Sequence, residues 1–85
     1  MFKLLHILVI DDDKKLGSLL KNFLNEKGYL VDVVESTLSA KSIMLNIVFD
    51  LLILDVMLPK ESGLTFATSI KKSNNTPICL LYTSP

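Results

Sequence analysis

At 85 residues, 49% of them hydrophobic, the chain is sized for one small domain with a packed core. Nine lysines and nine acids balance to a formal net charge of +0 with no arginine, so nothing electrostatic argues for nucleic-acid binding by this segment itself. One cysteine excludes an internal disulfide framework and points to a reducing compartment. The opening MFKLLHILVIDDD lacks both the length of a membrane span and the small-residue cleavage site of a secretory leader, so a soluble cytoplasmic domain is expected.

Residues 4–10 (LLHILVI) are a short apolar run closed by Asp11, Asp12 and Asp13. A run apolar on both faces is what a strand covered by helices on two sides requires. Over 14–27 the period changes. Leu16, Leu19, Leu20, Phe23 and Leu24 recur at three and four with Lys and Asn between them, which predicts an amphipathic helix capped by Asp12 or Asp13 and closed by Gly28. Residues 29–34 (YLVDVV) read as a second strand, and Ser36 caps a second helix with Ala40, Ile43, Met44 and Ile47 on its inward face. Residues 50–54 (DLLIL) are a third strand that delivers Asp55. Beyond a loop at 59–63, Leu64, Ala67 and Ile70 mark a third helix ending near Lys72; SNNTP is a turn, and 77–81 begin a fourth strand. Such a β-α-β-α-β-α-β order with short loops predicts an α/β fold with a parallel sheet covered on both faces.

In open sheets of this kind ligands bind beyond the carboxyl ends of the strands. Asp11, Asp12 and Asp13 follow the first strand and Asp55 follows the third, so carboxylates converge if those strands are neighbours. Converging carboxylates repel and raise one another's pKa. A hard divalent cation removes the repulsion; Mg²⁺ takes carboxylate, backbone oxygen and water, and often shares its sphere with a phosphate. A carboxylate beside such an ion can attack phosphorus, with catalysis consisting largely of positioning and charge neutralisation.

From Ile7 through Ile78 the chain resembles the receiver domain of bacterial two-component response regulators, on the ILVIDDD start, the LLILDVMLP segment, Gly63 placed beyond Asp55, and the TPI entry to the fourth strand. The resemblance implies a flavodoxin-like, doubly wound sheet of order 2-1-3-4-5, here stopping before the fifth strand. It makes Asp55 the phosphoacceptor, Asp12 a direct Mg²⁺ ligand, Asp11 its neighbour acting through water, and the backbone carbonyl of Met57 the third protein ligand. Pro59 and Gly63 match residues shaping the loop beyond the acceptor, and Ser62 stands where many relatives carry Asp, where it can cap the third helix. A sensor histidine kinase is the implied partner. DNA is reached only through an absent output domain of winged-helix type, and self-association of the full-length protein stays open. The module catalyses its own phosphorylation and dephosphorylation and is a signalling acceptor more than an enzyme.

Plainer structural roles stand beside these. Asp13 is preferred as a helix cap, His6 as a structural residue, Lys14, Lys15 and Lys21 as a solvated helix face, and the Met44 and Met57 side chains as packing groups. The family's hydroxyl at the end of the fourth strand falls at Tyr82, with Thr83 one position late, and its phosphate-pairing Lys is absent. CLLYTSP, read back into codons as TGT CTC TTA TAC ACA TCT CC, resembles a transposon-end adapter. The receiver domain is therefore expected to occupy 1–78, with 79–85 a non-native tail. Two other classes remain: a non-phosphorylated interaction domain of the same fold, and an aspartyl-phosphate phosphatase. The second needs another Asp where Met57 stands.

Overall fold

Strand and helix alternate along the chain as β1 (His6–Ile10), α1 (Lys14–Glu26), β2 (Leu30–Val34), α2 (Thr37–Met44), β3 (Leu51–Asp55), α3 (Gly63–Ser73) and β4 (Ile78–Leu81). The computed structural model describes residues 4–58, 63–73 and 75–81; Pro59, Ser62, Tyr82 and Thr83, singled out above, lie outside them. The four strands pair in the order β2-β1-β3-β4, every pair parallel.

The period of two sorts the strand residues onto two apolar faces. Leu8, Ile10, Leu52 and Leu54 point to one face, where Ala40 of α2 and Phe66 and Ile70 of α3 complete a buried cluster. Ile7, Val9 and Val31 point to the other, with Leu20 and Leu24 of α1 packed against them. One helix therefore covers one face and two cover the other, the doubly wound arrangement expected. Ile47 packs on the first cluster from beyond the end of α2, which stops at Met44.

The helix ends follow local chemistry. Between the two candidate caps, Asp13 starts α1, its side chain accepting from the backbone N–H groups of Lys15 and Leu16 at 3.0 and 3.1 Å. Ser36 starts α2 by accepting from Ser39 N–H at 3.1 Å. After α1 the chain turns at Gly28 with φ 97°, a left-handed conformation that favours glycine.

Two apolar expectations are corrected. β1 begins at His6, leaving Leu4 and Leu5 exposed. On α1 the periodic stripe is wider than the sheet beneath it: Leu20 and Leu24 reach the core, while Leu19 and Phe23 remain 68% and 55% exposed. The outer edge carries a comparable surface, an apolar groove of about 410 Å³ between α3 and β4 lined by Leu64, Ala67, Ile78 and Leu80 among others.

His6 is structural, as expected. Its amide donates to Asp50 Oδ2 at 2.8 Å while Asp50 N–H donates back to the His6 carbonyl at 2.7 Å. Its ring nitrogen Nε2 lies 2.6 Å from Asp32 Oδ2, and the ring packs 4.5 Å from Phe49. These bonds tie β1 to β2 and β3 at the edge of the sheet opposite Asp55.

Truncating a central core side chain should therefore be far costlier than truncating a surface one. Leu52→Ala, at a fully buried position, is expected to lower stability by about 2–5 kcal/mol. Leu45→Ala, at a position 84% exposed, should change it by no more than about 0.5 kcal/mol. Urea unfolding of the two variants provides the comparison.

Candidate metal and acceptor site

The register of the sheet builds the site. Ile10 of β1 pairs with Leu54 of β3, and both strands run the same way, so the next residues, Asp11 and Asp55, emerge side by side. Asp11 N–H continues the ladder to the Val34 carbonyl at 3.0 Å, and Val56 N–H continues it to the Leu81 carbonyl at 3.1 Å. Each carboxylate therefore leaves the sheet where the backbone ladder is still bonded.

Each also folds the chain that follows it. Asp11 Oδ1 accepts from Asp13 N–H at 2.9 Å, and Asp55 Oδ1 accepts from Met57 N–H at 2.8 Å. These two-residue side-chain turns are a common role for Asp at the end of a strand. They hold the carboxylates in fixed rotations at the carboxyl edge of the sheet.

Asp11 and Asp55 are 1% and 4% exposed, whereas Asp12 is open to solvent. One carboxylate oxygen from each of the three can be chosen so that all lie within 4.8 Å of one another. Asp11 Oδ2 is buried without a hydrogen-bond partner. Burial pushes the Asp11 carboxyl above its ordinary value of 3.8, with the charges of Asp55 and Asp12 adding to the rise and the Asp13 amide opposing it. An orphaned buried oxygen, facing an all-oxygen donor set that strains against its own charge, fits a hard divalent cation.

The sequence-derived residues are placed as follows. Asp11, Asp12 and Asp55 come together. Met57 lies directly beyond Asp55 and contributes its amide to that carboxylate; its side chain is 59% exposed, which excludes the core and leaves only packing within the loop. A turn hydrogen bond is the plainer role open to Asp55 from its place at a strand end, and the Met57 amide makes one; the Asp13 amide on Asp11 has no such signal in the sequence. Gly63 explains itself here. A Cβ at this position would stand 2.7 Å from both the Asp55 carbonyl oxygen and Val56 Cα, so only glycine lets α3 start against the end of β3.

With this geometry in place the class of protein is defined: the chain belongs to the response regulator receiver domain family, whose model matches residues 7–84. Among characterised relatives it is 37% identical over 76 residues to Protein PetR of Rhodobacter capsulatus, covering 89% of this chain and 32% of that protein. It is 39% identical over 75 residues to the transcriptional regulatory protein CpxR of Escherichia coli, covering 88% of this chain and 32% of CpxR. The chain thus spans about a third of the length of these relatives. Among solved structures, the receiver domain of the TMAO respiratory system response regulator TorR superposes with a TM-score of 0.85 at 30% identity, covering 89% of this chain and 63% of that one. A two-component response regulator from Clostridium difficile gives 0.87 at 30% identity, covering 95% and 68%. The fold expected from the resemblance is therefore the fold observed, in the strand order β2-β1-β3-β4 among the described residues.

The raised Asp11 carboxyl has a direct consequence for stability. Without metal, the folded chain still holds this proton at pH values where the unfolded chain, titrating near 3.8, has released it. Asp11 therefore stabilises the fold less as pH rises from 3.8 through its raised folded value. In metal-free buffer, Asp11→Asn is expected to raise Tm at neutral pH, with the gain shrinking as pH falls towards 3.8. Thermal unfolding across pH in a chelator measures it.

Proposed function

We propose that Asp55 accepts a phosphoryl group from a sensor histidine kinase, with Mg²⁺ held by Asp11, Asp12, Asp55 and the backbone carbonyl of Met57. The observation that carries this reading is the buried Asp11 oxygen without a partner, set against two further carboxylates. A strand-terminal Asp that served only as a turn former would need no such neighbours.

Asp55 is presented at the end of a rigid strand, and its rotation is held by Met57 N–H at 2.8 Å. That positioning lowers the entropic cost of bringing the carboxylate in line with phosphorus. In the step itself a carboxylate oxygen of Asp55 forms the new O–P bond while the bond from phosphorus to the donor's imidazole nitrogen breaks, its electron pair leaving with the imidazole. When bound, the divalent cation would supply charge neutralisation for the phosphoryl oxygens. Asp11 and Asp12 serve by holding it beside Asp55. Asp11 is buried, and its rotation is held by the Asp13 amide.

The same reading makes the protein a signalling module of the cytoplasm that catalyses its own phosphorylation and dephosphorylation. No described helix is long and apolar enough to cross a membrane. CpxR bears a transcriptional name, so control of transcription through a separate DNA-binding domain is the proposed output.

Incubation with acetyl phosphate and Mg²⁺, followed by intact-mass and peptide mass spectrometry, tests the acceptor directly. The mass of one phosphoryl group should appear on Asp55 and be lost in Asp55→Asn and in chelator. A protein that stays unmodified under conditions where Mg²⁺ binds would favour a non-phosphorylated interaction domain.

A further inference from the structure

Asp13 does two things at once. Its side chain caps α1 through the amides of Lys15 and Leu16, and its own amide donates to Asp11 Oδ1 at 2.9 Å. The cap conformation, φ −79° and ψ 103°, sets where that amide points. With Oδ1 so engaged, the second oxygen of Asp11 is the buried one with no partner. Asp13 lies outside the group of three carboxylates that can share an ion, and its Oδ1 is already committed to the helix.

We infer that Asp13 is a positioning residue for divalent-cation binding: by capping α1 it fixes the amide that orients Asp11, and so aims the orphaned Asp11 oxygen into the site. The inference rests on the metal reading above and deepens it. Groups that orient a metal ligand contribute strongly to affinity although they never touch the ion. Here the orienting group is a backbone N–H, which no substitution other than proline removes. What a substitution can remove is the cap holding it in place.

The inference separates Asp13's geometry from its charge. Asp13→Ser keeps a capping oxygen and loses the carboxylate, whereas Asp13→Ala loses both. Ser36→Ala provides a control, since it removes the equivalent cap from α2, at a residue outside the three carboxylates and the turn that follows Asp11. A merely destabilising effect would appear in that control as well.

Calorimetric titration of Mg²⁺ into the wild type and these three variants, at moderate salt to screen surface charge, gives the test. Asp13→Ala should bind about threefold to tenfold more weakly, while Asp13→Ser and Ser36→Ala stay within about twofold of wild type. The Asp13 amide proton should shift markedly on Mg²⁺ addition in wild type and Asp13→Ser. Equal weakening in Asp13→Ala and Asp13→Ser would show that charge acts, and unchanged binding in Asp13→Ala would show that the cap does not; either result overturns the inference. Failure of the wild type to bind Mg²⁺ saturably would overturn the metal reading itself, and the inference with it.

Discussion

Two carboxylates buried side by side at the ends of adjacent parallel strands are the constraint around which this domain is arranged. Asp11 and Asp55 are brought together because β1 and β3 run in register. At that point the fold opposes itself, since hydrophobic burial drives both strands inward while the charges at their tips resist it. The surrounding structure offsets part of the conflict with two backbone amides, from Asp13 and Met57. It leaves one Asp11 oxygen without a partner. A divalent cation bound there would offset what the protein leaves unpaired, and would couple binding to folding.

The rest of the fold keeps that edge rigid. Alternating side chains place two apolar clusters on opposite faces of the sheet, so the central strands are packed on both sides. At the far edge, His6 links β1 to Asp32 and to Asp50, locking the register that brings the two carboxylates together. Near the site, the absence of a side chain at Gly63 lets α3 begin against the Asp55 backbone. Each of these contacts limits how far Asp55 can stray.

Much of this was legible in the residues. The change from an unbroken apolar run to a three-and-four period marked β1 and α1, and the oxygen-bearing side chains of Asp13 and Ser36 marked where helices begin. Convergence of Asp11, Asp12 and Asp55 could be stated only conditionally, because periodicity does not say which strands are neighbours; the strand order came from resemblance. Periodicity likewise shows that Leu19 and Phe23 share an apolar stripe but not whether anything lies over it. A turn hydrogen bond to Asp55 is readable from its place at a strand end, but the Asp13 amide on Asp11 is not, since every residue but proline has an amide. Of the core and loop positions open to the Met57 side chain, exposure excludes the core, which apolar character alone does not decide.

The central claim is that Asp11, Asp12 and Asp55 form one cation site at the carboxyl edge of the sheet. Residue-resolved NMR with substoichiometric Mn²⁺, whose unpaired electrons broaden nearby signals, tests it most directly. The account predicts that the amides of Asp11, Asp12, Asp13, Val56 and Met57 broaden first, saturably, and recover when Mg²⁺ is added in excess. Broadening centred instead on the acidic side chains around His6 at the opposite edge, or spread evenly over the surface, would contradict it.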